Sequence, residues 1–317
     1  MKPGSLNLLA VLSMGLAALA IVPAAAQPAP SAQRHDLSEI CAGGDCVWEK
    51  HVTCSGFLEG INFDANGTLW MVGYLEGRII KVQNGECVTV GEQSGFPNGM
   101  KIAPDGNLIV ADRTGGLQSV DPVTGEREVI HSQYITAQFR GLNDLAFDPQ
   151  GGMYFTEPYG SDALKPVGRV YYIAPGEGSK PELFLDGVSF PNGIALSPDG
   201  NRVFLSEYGQ NRIIAAPSKL NPNIFESATV LAQLQGGIGP DGLTVDADGN
   251  LYIAHFGAGQ VFVLDPQGFP YGIIRLPESA GPFTTNVAIH GGHLYVTEAI
   301  QNVVWRLPIT RKALGEQ

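Results

Sequence analysis

Apolar and polar residues alternate along this chain in short runs, and the runs recur. A glycine, a variable residue and an apolar or aromatic stretch appear as Gly67-Thr68-Leu69-Trp70-Met71, Gly106-Asn107-Leu108-Ile109-Val110, Gly151-Gly152-Met153-Tyr154-Phe155 and Gly249-Asn250-Leu251-Tyr252-Ile253. Gly200-Asn201-Arg202-Val203-Phe204 is one residue longer, and Gly292-His293-Leu294-Tyr295-Val296 is the sixth copy. Before most copies an alternating run ends in an acidic turn, such as Phe63-Asp64-Ala65-Asn66 or Asp246-Ala247-Asp248. After each comes another run, such as Arg78-Ile79-Ile80-Lys81-Val82. Period-2 alternation bounded by Asp and Gly predicts strands joined by tight turns. The repeat of 39 to 49 residues is that of a four-stranded blade. Six copies predict an all-β chain: a six-bladed β-propeller of four-stranded blades over residues 46–317. The last copy holds three strands, so Val47 to Val52 is expected to supply its fourth and close the ring.

Composition agrees. The 317 residues include 41 Gly and 22 Pro, and 44% are hydrophobic. That argues against helical bundles and against disorder. The net charge of −12, from 19 basic and 31 acidic residues without a basic run, leaves no electrostatic footprint for nucleic acid or anionic lipid. Residues 1–26 read as a signal peptide: Lys2, an apolar stretch from Leu6 to Val22, then Ala24-Ala25-Ala26. The mature protein is therefore expected in the periplasm or outside the cell, without a membrane segment or an obligate protein partner, behind a flexible lead-in at 27–45. Export makes disulfides of Cys41, Cys46, Cys54 and Cys87 expected. Cys41–Cys46 with Cys54–Cys87 is the favoured one of three pairings. Zinc is the weaker reading, for want of a CxxC pair or clustered His.

Eight positions before five of the repeat glycines stand Glu59, Asn98, Asn143, Asn192 and Asp241, each followed by Gly or Asp. Thr285, followed by Asn286, is the sixth equivalent. Rotation about the channel axis brings equivalent positions to one mouth. Two carboxylates and three carboxamides gathered there would be costly without a partner. A divalent cation removes that cost, and all-oxygen donors suit Ca²⁺ first, with Mg²⁺, Mn²⁺ or Zn²⁺ as alternatives. The competing reading is local: Asn-Gly and Asp-Gly pairs also start strands and cap backbone groups.

These motifs resemble the senescence marker protein/gluconolactonase/luciferin-regenerating enzyme family. The matching stretches are Leu58-Glu59-Gly60, Leu142-Asn143-Asp144, Phe190-Pro191-Asn192-Gly193, Pro240-Asp241-Gly242-Leu243 and Asn286-Val287-Ala288-Ile289. The resemblance implies a six-bladed propeller lactonase with one divalent cation and a small-molecule lactone substrate. It implies Glu59, Asn192, Asp241 and Asn143 as metal ligands, Asn143 also reaching substrate. The arginine that precedes Asn-Asp in some members stands one residue further off, as Arg140, and Asn98 is a polar group that only some members have. On this reading metal-activated water attacks the lactone carbonyl, with Asp241 as base and Asp144 as the alternative. Asn98, Arg140 and His255 are expected to contact substrate, His255 by holding a hydroxyl or relaying a proton. Gly73, Asp112, Glu157, Glu207, His255 and Glu298 end the second strands and are expected either as an outer shell or as solvated loop residues. Asp64, Asp105, Asp199 and Asp248 are expected to be structural turn residues. No GxSxG, HExxH or P-loop motif is present. A non-catalytic binding or sensor propeller, or a propeller esterase on another ester, is the alternative function. Phe139, Tyr159, Phe190, Tyr208 and Phe256 near the channel loops favour an apolar lactone over a sugar lactone.

Overall fold

The computed structural model describes residues 35–223 and 225–315. They form a ring of four-stranded antiparallel sheets. Blade 1 runs through Leu58–Phe63, Leu69–Gly73, Arg78–Gln83 and Glu86–Val90, and blade 2 through Pro97–Ile102, Leu108–Asp112, Gly116–Val120 and Arg127–His131. Blade 3 starts with the short strand Leu145–Phe147 and continues through Met153–Glu157, Gly168–Ile173 and Glu182–Val188. Blades 4 and 5 begin at Pro191–Leu196 and Gly239–Val245. Blade 6 holds Thr284–His290, His293–Glu298 and Val303–Pro308, and its outermost strand is Glu49–Thr53. That strand pairs antiparallel with Val303–Pro308, closing the ring where the sequence pattern places the closure. Without it Val303–Pro308 would be the unpaired outer edge of a three-stranded blade.

Alternation explains why the second strands are apolar on both faces. In blade 1, Trp70 and Val72 pack toward Met100, Leu108 and Val110 of blade 2. Leu69 and Met71, one residue out of phase, pack toward Ala288, Tyr295 and Val304 of blade 6. The same division fills the spaces between blades 2 and 3, 3 and 4, 4 and 5, and 5 and 6. The core is thus a set of radial slabs, and each blade is buried between two neighbours.

The acidic turns at the far end of the inner strands are closed by their own carboxylates. Asp64 Oδ1 accepts from the N–H groups of Asn66 and Thr68, and its Oδ2 from the Trp70 indole. Asp199 accepts from Ser197 and Asn201, and Asp105 from Asn107. In blade 5 the turn is held by Asp246, which accepts from Asp248, Asn250 and Tyr252. Asp248 instead pairs with Arg311 at 2.8 Å.

Disulfides join Cys41 to Cys46 and Cys54 to Cys87, the favoured pairing, and leave no cysteine for zinc. From His35 onward the expected lead-in packs on the ring. Ile40 and Cys41 are fully buried among blade 5 and blade 6 side chains, and Cys41 bridges to Ile309. Residues 1–26 and 27–34, read as signal peptide and the start of the lead-in, lie outside the described residues.

Candidate active site

The inner strands do not reach the channel mouth as regular ladders. Pairing with the second strand slips between Glu59 and Asn62, between Pro97 and Met100, between Pro191 and Ile194, between Pro240 and Leu243, and between Thr284 and Val287. In blades 2, 4, 5 and 6 the slip falls on the ring position and the residue after it; in blade 1 Glu59 still pairs with Val72 and the slip falls on Gly60 and Ile61. A bulge turns a side chain off the strand's normal alternation. In blade 3 the ladder starts at Leu145, so Asn143 and Asp144 lie just outside it.

The residue after each ring position explains the Gly-or-Asp pattern. A Cβ at Gly60 would lie 2.6 Å from the carbonyl oxygen of Asn98, one at Gly99 2.6 Å from that of Asn143, and one at Gly193 2.4 Å from that of Asp241. Neighbouring blades touch backbone to backbone at these points, and a side chain would push them apart. Blades 3 and 6 use a polar brace instead. Asp144 accepts from the N–H groups of Leu145 and, across to blade 4, Ile194. Asn286 accepts from Val287 N–H and donates to Glu59 of blade 1 at 3.4 Å. Thr156 and Thr297 bond the backbone beneath each brace. The channel thus has an approximate twofold, blades 1–3 matching blades 4–6.

Glu59, Asn98, Asn143, Asn192 and Asp241 all line one cavity of about 370 Å³. Glu59, Asn143, Asn192 and Asp241 are at most 8% exposed. Neither Glu59 nor Asp241 has an ion pair with Lys, Arg or His among the described residues. Burial, then the charges of Asp241 and Asp144, holds the Glu59 carboxyl well above its ordinary range. Burial and then the charge of Asp144 raise Asp241 likewise, against the pull of the Asn192 amide. The side-chain amides of Asn98 and Asn143 have no hydrogen-bond partner within the described residues, so they are available to a ligand. Two unneutralised carboxylates beside unused carboxamides fit a hard divalent cation better than they fit an apolar or anionic guest. No group of three or more His, Cys, Asp or Glu side chains is placed to hold a metal among the described residues. Any such site here rests on two acids and amide oxygens.

Other expected site residues lie elsewhere. Asp144 is beneath the cavity, with its oxygens on backbone N–H groups. Burial raises its carboxyl, with Lys101 opposing. Thr285 bonds the Leu58 carbonyl and Thr297. Arg140 lines an adjoining cavity. His255 is fully buried, one ring nitrogen against Asn211 Oδ1 at 2.9 Å and the other against Gln260 at 3.0 Å. That placement leaves no ring nitrogen for a substrate hydroxyl, and burial depresses its pKa to about 4. Phe139 packs in the core against Phe155 and Tyr171 rather than on the cavity.

Of the acids that end the second strands, Asp112, Glu207 and Glu298 are buried, and Glu157 is half-buried on the adjoining cavity. Asp112 accepts from Phe96 N–H, Glu157 from Arg140 N–H, and Glu207 from Ser189 N–H. Each clips the loop entering its own blade. In blade 1 Glu76 does this for Phe57. Glu298 accepts from Ile300 and Gln301 in its own loop. The residue after the strand end is the one that faces the cavity: Tyr74, Arg113, Pro158, Tyr208 and Phe256. Phe57 and Phe190, two residues before Glu59 and Asn192, also line it. Aromatic rings form a partial collar. Tyr74 lies between Phe57 and Phe96, with centroids 5.9 and 6.0 Å away, and Tyr208 between Phe190 and Phe256 at 5.1 and 6.2 Å. Sequence reading missed Tyr74 and Arg113. The signal was the position one past the strand end, where alternation reverses the side chain's direction.

A propeller whose channel mouth gathers two acids and three amides under an aromatic rim defines a class, that of small-molecule propellers with an oxygen-lined centre. Residues 57–300 match the family described as SMP-30/Gluconolactonase/LRE-like region, and the chain belongs to it. Lactonase drp35 of Staphylococcus aureus is 32% identical over 235 residues, covering 69% of this chain and 70% of that protein. Its Staphylococcus epidermidis counterpart is 34% identical over 230 residues, with the same coverage. A gluconolactonase from Xanthomonas campestris has a TM-score of 0.74 at 22% identity, over 86% of this chain and 92% of that one. The calcium-binding protein regucalcin from Agrobacterium tumefaciens has a TM-score of 0.71 at 23% identity, over 84% and 95%. At these identities the two structures speak for the fold.

Proposed function

We propose that the protein is an exported, divalent-cation-dependent lactonase that opens a lactone with an apolar ring to its hydroxy acid. The observation that carries this reading is the convergence of Glu59 and Asp241, buried and without a cationic partner, with Asn98, Asn143 and Asn192 in one cavity. The curated relatives named lactonase support the reaction class. Glu59, Asn192, Asn143 and Asp241 would hold the ion, Ca²⁺ in the first place. When bound, such a cation supplies Lewis acidity toward a lactone carbonyl and toward water.

The chain's own residues account for the rest. Asp241 lines the cavity and takes the proton of the attacking water as its oxygen bonds to the carbonyl carbon. Asp144 does not reach that space, because backbone N–H groups occupy its carboxylate. Asn98 and Asn143 donate to oxygens on which charge develops. The ring C–O bond then breaks, the leaving alkoxide gains a proton, and the hydroxy acid departs. The rim of Phe57, Tyr74, Phe190, Tyr208 and Phe256 offers apolar surface to the lactone ring, which supports an apolar over a polyhydroxylated substrate. Two disulfides support residence in an oxidising compartment.

The test is a panel of γ- and δ-lactones followed by proton release, on protein stripped of metal and then given Ca²⁺, Mg²⁺, Mn²⁺ or Zn²⁺. We expect turnover to return with one ion per chain. Ion retention without turnover of any lactone would instead identify a binding propeller.

A further inference from the structure

The wall between blades 2 and 3 carries positive charge that the structure does not use. Arg113 is the cationic side chain on the main cavity. Its backbone is fixed on both sides: its N–H donates to the Phe96 carbonyl at 3.0 Å, and its carbonyl accepts from Gly141 N–H at 2.6 Å. Its guanidinium donates to the Tyr74 hydroxyl and forms no ion pair among the described residues. Gly141, at φ 74°, keeps the space beside it open, since a Cβ there would lie 3.3 Å from Tyr159 and 3.6 Å from Arg113 Cγ. On the other side of Tyr159 is a second cavity of about 500 Å³, which Tyr159 shares with the first. Arg140 lines it, with its guanidinium over the Tyr159 ring at 5.8 Å and likewise without an ion pair among the described residues. Of the other charges there, Arg169 is matched, while Glu157 is hydrogen-bonded but has no ion pair among the described residues. Arg169 pairs with Asp186 at 3.2 Å, and Glu157 accepts from Arg140 N–H and the Tyr171 hydroxyl.

In a chain with 31 acidic and 19 basic residues, two exposed guanidiniums without ion pairs, Arg113 on the Tyr74 hydroxyl and Arg140 over the Tyr159 ring, stand together at the edge of the reaction cavity. Guanidinium forks match carboxylate geometry, and Tyr159 supplies a flat surface to the chain that would carry one. We propose that this wall is a carboxylate-recognition subsite, and that the preferred lactones bear an acidic substituent held by Arg113 with help from Arg140. The inference rests on the lactonase reading and deepens it: the ring of oxygens addresses the ester, and the blade 2–3 wall addresses the far end of the molecule.

The test compares two lactones matched in ring and side chain, one ending in a carboxylate and the other in a carboxamide, on the full mature chain with Ca²⁺. The wild type is expected to favour the carboxylate at least tenfold in kcat/KM, with the preference falling as salt rises. Arg113→Gln should erase most of that preference through KM, and Arg140→Gln about threefold of it. Equal losses on both lactones, or a wild type with no preference, overturn the subsite. Binding of glutarate by calorimetry reads the subsite without turnover. If neither lactone is opened but glutarate binds and Arg113→Gln weakens it tenfold or more, the lactonase reading fails while the subsite stands. Glutarate binding equal in wild type and Arg113→Gln removes the subsite alone.

Discussion

The inner strands of blades 1 and 5 run between two kinds of acid, and the two ends of the ring's inner strands treat acids oppositely. At the turn end, burial pushes Asp64 up, but the Trp70 indole and the N–H groups of Thr68 and Asn66 outweigh it and leave the carboxyl below its usual range. Asp199 is lowered by the Ser197 hydroxyl and Asn201. At the cavity end, Glu59 and Asp241 meet other acids and too few donors, and both are raised well above theirs. The residue type is the same; the supply of N–H and O–H groups decides whether an acid closes a turn or waits for a ligand.

The largest effect should come from neutralising the cavity end. Glu59→Gln or Asp241→Asn is expected to lower kcat/KM by about 10³-fold or more and to abolish stabilisation by added cation. The same changes should raise the melting temperature of the metal-free protein by several degrees, because they remove a buried repulsion. Calorimetry with and without chelator checks both. A metal-free variant no more stable than wild type would break the comparison from this end.

The turn end should respond in reverse. Asp246 is fully buried and accepts four hydrogen bonds, so Asp246→Ala is expected to cost about 3 kcal/mol in stability, read by urea unfolding, with turnover per folded molecule little altered. A smaller effect is one of pH. A raised carboxyl binds its proton more tightly in the folded chain, so the metal-free protein should lose stability as pH rises from the ordinary carboxylate range through the raised folded values. A lowered carboxyl such as Asp64 contributes stability above its unfolded value that is lost as pH falls through the folded one. His255, depressed to about 4, adds stability as pH rises from there to 6.5. Subtracting the pH curve of Asp241→Asn from that of wild type isolates the first contribution, whose sign is the check. The smallest effect is expected from Asp144→Asn. Asn286 performs the equivalent brace with an amide, so kcat/KM should fall less than about tenfold. A thousandfold loss would restore Asp144 as the base.

Much of this was legible because the repeat keeps phase. Counting from the turn glycines finds Glu59, Asn98, Asn143, Asn192 and Asp241, and the lone run at Val47–Val52 finds the closing strand. What failed was finer than the repeat. Alternation flips direction with each residue, so the cavity is faced not by Asp112 or His255 but by the residues after them, Arg113 and Phe256; the aromatic composition of the loops marked Tyr208 and Phe256 but not Tyr74 or Arg113. Bulges at the ring positions are set by backbone contacts between blades, which no single blade's sequence reveals. Arg140 was chosen for its nearness in sequence to Asn143, whereas Arg113 reaches the cavity from the neighbouring blade.

The closing strand has a consequence for how the chain matures. Among the strands of the ring Glu49–Thr53 comes first in the chain, yet its partner Val303–Pro308 comes last. Five blades can condense while this segment stays single, and the circle locks only when the other three strands of blade 6 are in place. Its tether to blade 1 through Cys54 and Cys87 keeps the waiting segment beside the gap it will fill. Refolding from the reduced state should therefore be slowest at this seam, where the first and last strands of the ring have to find each other.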